Sequence, residues 1–127
     1  MRGVVLSPIE SLAYRDIRER LVVLLESAAG CGPLERMEMA DELANQEDVD
    51  AALGVLRGLL RDIAALRAVA VRLVNPDLAE RLAGLAKGQI GDHASSLADR
   101  AAEARSALDA NANKLLTMDL LLEAFAR

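Results

Sequence analysis

Side chains that usually carry chemistry are scarce in this chain. Its 127 residues include one histidine, one cysteine and no tryptophan, and tyrosine and phenylalanine occur once each. A single cysteine, Cys31, excludes an internal disulfide. The lone histidine, His93, has no cysteine pair and no Glu-x-x-His spacing beside it, which argues against a zinc or carboxylate-bridged di-iron site. Neither a Gly-x-x-x-x-Gly-Lys-Ser/Thr phosphate loop nor a Gly-x-Gly-x-x-Gly turn occurs. No apolar run approaches the ~18 residues of a membrane span. Residues Met1–Leu6 contain one basic residue and a short apolar stretch, and read as irregular chain instead of a signal peptide. A basic excess is missing too: 20 acidic against 15 basic side chains give a net charge of −5, whereas a free-standing nucleic-acid binder normally shows a basic face. The expectation is therefore no cofactor, no metal, no catalytic residue, no direct nucleic-acid contact and no membrane association, with the cytoplasm as the default compartment.

The chain is rich in small and branched aliphatic residues. Hydrophobic residues make up 53% and aromatics only 2%, so a core must be built from Leu, Ala, Val, Ile and Met. That composition favours close helix packing over a sheet, which draws on aromatic and β-branched residues. The length fits one domain able to bury roughly two-thirds of its unfolded surface. We expect one all-α domain over residues 1–127, a compact bundle of five or six helices.

Punctuation divides the chain accordingly. Ser7-Pro8-Ile9-Glu10 forms a capping box with proline at the first helical position. The helix it opens runs to about Ala29, with Ala13, Tyr14, Ile17, Leu21, Leu24, Leu25 and Ala28 inward and Arg15, Arg18, Glu19 and Glu26 outward. Gly30-Cys31-Gly32-Pro33 ends it. A shorter helix over 33–45 places Met37, Ala40 and Ala44 on one side. Glu47 or Asp48 starts a long central helix that ends before Pro76. Its stripe is Val49, Leu53, Leu56, Leu59, Leu60, Ile63, Leu66 and Ala70, an arc wide enough to face several neighbours; Arg57, Arg61 and Arg72 share the far side with Asp50. Asn75 is placed to cap a fourth helix with Leu78, Leu82 and Leu85 inside, and Asp77 and Glu80 near its positive end. Gly88 and Gly91 break the chain before a fifth helix over about 92–110, with a narrow stripe of Ala94, Leu97, Ala101, Ala104 and Leu108. Asn111-Ala112-Asn113 punctuates again, and a last helix covers Lys114–Ala126.

That last helix has two apolar sides. Leu115, Met118, Leu121, Leu122 and Phe125 form one. Leu116, Leu120 and Ala124 form a second at i, i+4, i+8, set apart by Asp119 and Glu123. The second line either closes the core or contacts another subunit. Glu35, Glu38, Asp41 and Glu42 read as a solvated acidic face, with a metal or basic-partner site as the lesser alternative. Arg57, Arg61 and Arg72 read as a stripe that keeps the outer side of a packed helix wet, or as one that touches phosphate. Cys31 fits a turn and His93 a helix start; a nucleophile–base pairing of the two has no motif behind it.

Two stretches carry a family likeness. Leu59-Leu60-Arg61-Asp62-Ile63-Ala64-Ala65-Leu66-Arg67-Ala68 followed by Leu73-Val74-Asn75-Pro76-Asp77, and Asn111-Ala112-Asn113-Lys114-Leu115 followed by a Leu-rich end, resemble the C-terminal domain of bacterial DNA polymerase III clamp-loader subunits. The likeness to delta-prime is greater than to gamma/tau. It covers roughly Ser7 to Arg127, and departs at Lys114, where the family often has proline. The resemblance implies a non-catalytic collar domain that joins other clamp-loader subunits in a hetero-oligomeric ring, supporting sliding-clamp loading during replication. It implies ATPase modules N-terminal to residue 1, with this chain an excised domain or a naturally short relative. Partner contact is expected at Leu116, Leu120 and Ala124, with Arg57 and Arg61 as rim. The alternative is a stand-alone helical adaptor or regulatory domain that binds another protein.

Overall fold

Asp48 begins the element around which the others are arranged. Its carboxylate accepts the Ala51 N–H at 3.0 Å, and the helix Val49–Arg67 follows. In the computed structural model, which describes residues 8–28, 31–68 and 72–125 and their side chains from residue 15 onward, the order is α1 (Pro8–Ala28), α2 (Pro33–Ala44), α3 (Val49–Arg67), a 3₁₀ turn (Pro76–Leu78), α4 (Ala79–Ala86), α5 (Gln89–Asp109) and α6 (Lys114–Phe125). The architecture is an all-helical bundle, and no strand occurs among the described residues. The expected Ser7–Glu10 capping box, the Ala13 and Tyr14 side chains, Ala70 and residues 1–6 lie outside what is described.

α3 is central. Leu53, Leu56, Leu59, Leu60 and Ile63 are completely withdrawn from water, together with Leu25 of α1, Leu82 of α4 and Met118 of α6, and Leu122 of α6 is almost so. The most extensive helix pairing is α3 with α5; α2 lies mainly on α6, and α1 and α4 cover other flanks of α3. Small residues make the α3–α5 approach possible. Ala94, Ala98, Ala101 and Ala104 of α5 are buried, as is Ala52 of α3. Burial of such area drives folding at about 25 cal/mol per Å².

α3 ends earlier than its apolar pattern suggests. It stops at Arg67, with Ala68 as its C-cap, so it does not run on to Val74. Arg72 is exposed and stands outside any helix, and Val74 is exposed as well. Asp62 explains the return of the chain. Its buried carboxylate, only 2% exposed, accepts the Val74 N–H at 2.6 Å, the Asn75 N–H at 2.7 Å and the Asn75 side-chain amide at 3.0 Å. The segment thereby crosses α3 beside Gly58, where Val74 and Asn75 come within 4.0 Å of the position a Cβ would occupy. Asn75 is correspondingly a buried bracket and makes no side-chain cap bond to the following turn. Its Oδ1 accepts from Arg18 at 3.2 Å, and Arg18 also grips Asp77 at 2.6 and 2.9 Å. Arg18 is therefore a half-buried link between α1 and the 3₁₀ turn, and does not simply face out.

Three further positions depart from the sequence reading. Met37 is exposed, and α2 turns Ala40 and Leu43 inward. Leu115 is 45% exposed, because Met118, Leu121, Leu122 and Phe125 already fill the inner side of α6. Gly91 does not break the chain: it lies buried in the first turn of α5, where an added Cβ would sit 2.0 Å from the Ala86 carbonyl oxygen. Glycine is what lets the end of α4 touch the start of α5. Arg67 secures the same corner, donating to Ala86 O at 2.9 Å and pairing with Asp92 at 2.5 Å.

The Asn111-Ala112-Asn113 punctuation has a clear physical basis. Asn111 adopts φ 66°, the left-handed region that asparagine tolerates. Ala112 N–H bonds to Ala107 O and Asn111 N–H to Leu108 O, each at 3.0 Å, which closes α5 as a Schellman motif. Asn113 then caps α6, its Oδ1 accepting from Leu116 N at 2.9 Å.

Asp62→Ala leaves the Val74 and Asn75 donors unmet, and urea denaturation should show a loss of about 3 kcal/mol. Gly91→Ala should cost about 2 kcal/mol in the same assay, because the clash is with backbone and has no flexible partner to yield.

Candidate functional site

Terminal helix α6 buries one side and leaves another uncovered. Leu116 and Leu120 are 58% and 61% exposed. Ala124, the third member of their line, is half-buried and packs on the core. Leu116 and Leu120 flank an apolar groove of about 320 Å³ between α5 and α6, completed by Ala104, Ala107, Ala112, Thr117 and Leu121, with Arg100 and Glu103 as its charged members. The groove exists because α5 presents alanines to α6, leaving a shallow trough where larger side chains would have filled the gap. Two leucines on a helix edge beside such a trough offer apolar contact area and no reactive group.

Arg57 and Arg61 stand elsewhere. They open onto a separate cleft of about 460 Å³ between α3 and α5, lined also by Ala64, Ala65, Ser95, Ala98 and Asp99. The two clefts share no lining residue, so the arginines do not border the leucine pair. Arg61 is exposed, but Arg57 is half-buried. The expected wet outer face is thus partly roofed by α5, since α3 is contacted on that flank too. Sequence reading missed Ser95 and Asp99, whose one-turn spacing on α5 matches that of Arg57 and Arg61 on α3. It missed Arg100, Glu103 and Ala107 of the groove as well.

The remaining electrostatics are structural. Arg81 of α4 holds both Glu19 and Glu26 of α1, with closest distances of 2.8 and 2.7 Å, so these acids are exposed yet paired. Arg105 of α5 reaches Asp50 of α3 at 2.9 Å, lying across Gly54. Hydrogen bonds from these guanidiniums hold Glu26 and Asp50 below the usual carboxylate range, and those from Arg18 do the same for Asp77. The reciprocal bonds raise Arg81 and Arg105 further above neutrality. Glu35, Glu38, Asp41 and Glu42 are all exposed along α2, as a solvated face requires. His93 is exposed in the first part of α5, and Cys31 donates its thiol to Ala28 O at 3.1 Å. Among the described residues no group of three or more His, Cys, Asp or Glu side chains is arranged to hold a metal ion. No described helix is long and apolar enough to cross a membrane.

Comparison with protein-family models, curated proteins and solved structures returns no match to this chain.

Glu26, Asp50 and Asp77 have folded pKa values below their unfolded ones. Their contribution to stability is complete above the unfolded values and is lost as pH falls through the folded ones. The thermal midpoint should accordingly fall once the pH drops below about 4.5, the ordinary glutamate value. Arg81→Gln should remove the Glu26 share of that fall, seen as a shallower dependence of the midpoint on pH in calorimetry.

Proposed function

We propose that this domain is a non-catalytic assembly module, the collar of a clamp-loader subunit of bacterial DNA polymerase III, closer to delta-prime than to gamma/tau. The observation that carries the reading is the uncovered Leu116–Leu120 edge beside an apolar groove on the final helix. Leucines at such exposure gain little from folding, and their burial against another subunit supplies free energy for association. The order of the motifs supports it further: a central helix with an Arg61-Asp62 pair, a short gap to Asn75-Pro76-Asp77, and an Asn-x-Asn turn before a Leu-rich helix. In this reading the chain works in the cytoplasm, its partners are the other clamp-loader subunits, and it contacts neither nucleotide nor DNA itself. Its rigid helices hold a ring together while ATPase modules on the same subunits do the work.

Arg57 and Arg61 stand apart from the leucine edge, so the proposed contact comprises Leu116, Leu120 and the α5–α6 groove, with Arg100 and Glu103 as polar rim. Sedimentation velocity of the chain mixed with purified clamp-loader subunits tests this. The wild-type chain should join a complex, and Leu120→Glu should weaken association by about tenfold or more, as for an apolar contact at an interface centre. Its helicity and urea midpoint should remain unchanged within about 0.5 kcal/mol, since the side chain is already in water. Failure of the wild-type chain to associate with any of these subunits overturns the reading.

A further inference from the structure

Four arginines tie separate elements of this bundle together. Arg18, Arg67, Arg81 and Arg105 each reach a carboxylate on another element. Arg57 and Arg61 form no such pair among the described residues, although the chain carries 20 acids against 15 bases. Arg57 Nε is withdrawn from water and has no acceptor. Nε therefore lies against protein, and a ligand in the cleft would meet the terminal nitrogens of the guanidinium instead. Both side chains line the α3–α5 cleft, opposite Ser95 and Asp99 of α5. No described partner occupies the Ser95 hydroxyl or the Asp99 carboxylate.

We propose that the α3–α5 cleft binds a ligand through an oxyanion group, carboxylate or phosphate, held by the Arg57 and Arg61 guanidiniums with the Ser95 hydroxyl as a further donor. This goes beyond the assembly reading and is independent of it, because the cleft shares no residue with the leucine edge. Residues one turn apart have Cβ atoms about 5–6 Å from each other, close enough for both guanidiniums to address one group. The planar guanidinium fork matches the paired oxygens of a carboxylate or phosphate. Asp99 reduces the charge of the cleft to one net positive, which suits a single anionic group and limits its affinity. The alanines Ala64, Ala65 and Ala98 leave a volume of about 460 Å³, within the range of small-molecule sites.

Nuclear magnetic resonance of the arginine Nε–Hε signals tests the site. The intact chain is titrated with sodium phosphate, and separately with sodium acetate, at constant ionic strength maintained with sodium chloride. A saturable shift of the Arg57 signal is expected. Arg100, exposed on the α5–α6 groove, serves as the reference and should not saturate. Arg61→Gln, an exposed change that spares the fold, should weaken the response by about tenfold, and Asp99→Asn should strengthen it several-fold by removing a like charge. Saturation with phosphate alone assigns a phosphate-bearing ligand, and saturation with acetate as well or instead assigns a carboxylate-bearing one. A non-saturating drift shared by Arg57 and Arg100, or a response unaltered in Arg61→Gln, overturns the proposal.

Discussion

Asp62 holds a carboxylate out of water in the second half of α3, and the return of the chain along that helix follows from how its oxygens are satisfied. Two backbone N–H groups and one side-chain amide converge on it. Their donors, Val74 and Asn75, are therefore drawn back along the helix they have just left. Asn75 passes the arrangement on to Arg18, and Arg18 to Asp77. One buried group thus sets where the 3₁₀ turn lies, and α4 continues from that turn.

Small residues determine how closely the helices approach. Aromatic side chains are almost absent, so the core is filled by leucines whose spacing is set by alanine and glycine between them. The alanines of α5 bring it close along α3, and Gly91 brings its start against the end of α4. The same economy leaves troughs where α5 meets α6 and where it passes α3. Both candidate sites lie on α5, the helix with the narrowest side chains on its buried face.

The sequence made the helices plain because the apolar positions recur at helical spacing and the caps are chemically distinct. Asp48, Asn113 and Asn111 act where local hydrogen bonding predicts, and Val49, Leu53, Leu56, Leu59, Leu60 and Ile63 of the α3 stripe are buried, with Leu66 half-buried. The end of α3 was not legible. The residues after Arg67 continue an apolar pattern, and only a tertiary bond to Asp62 shows where the chain turns back. A clue existed, since Asp62 flanks the leucine arc instead of lying on the charged side. Gly91 misled for a similar reason: a glycine near a helix start looks like a break until its close neighbour, the Ala86 carbonyl, is known. Leu116 and Leu120 were legible as a second line from spacing alone, whereas Arg57 and Arg61 were grouped with them only because distance between helices is invisible in a linear chain. Ser95 and Asp99 gave no signal of their own, being ordinary polar residues until α3 is placed opposite.

The arginine struts have a kinetic consequence. Arg18–Asp77, Arg81–Glu26 and Arg105–Asp50 connect residues 55 to 59 positions apart, so each can close only after the helices have docked. Interactions that are absent from the folding barrier act on the escape rate of the native state. Added salt, which weakens exposed ion pairs, would then hasten opening of the bundle far more than it slows its formation, and the lifetime of the closed state would be the property that these arginines govern.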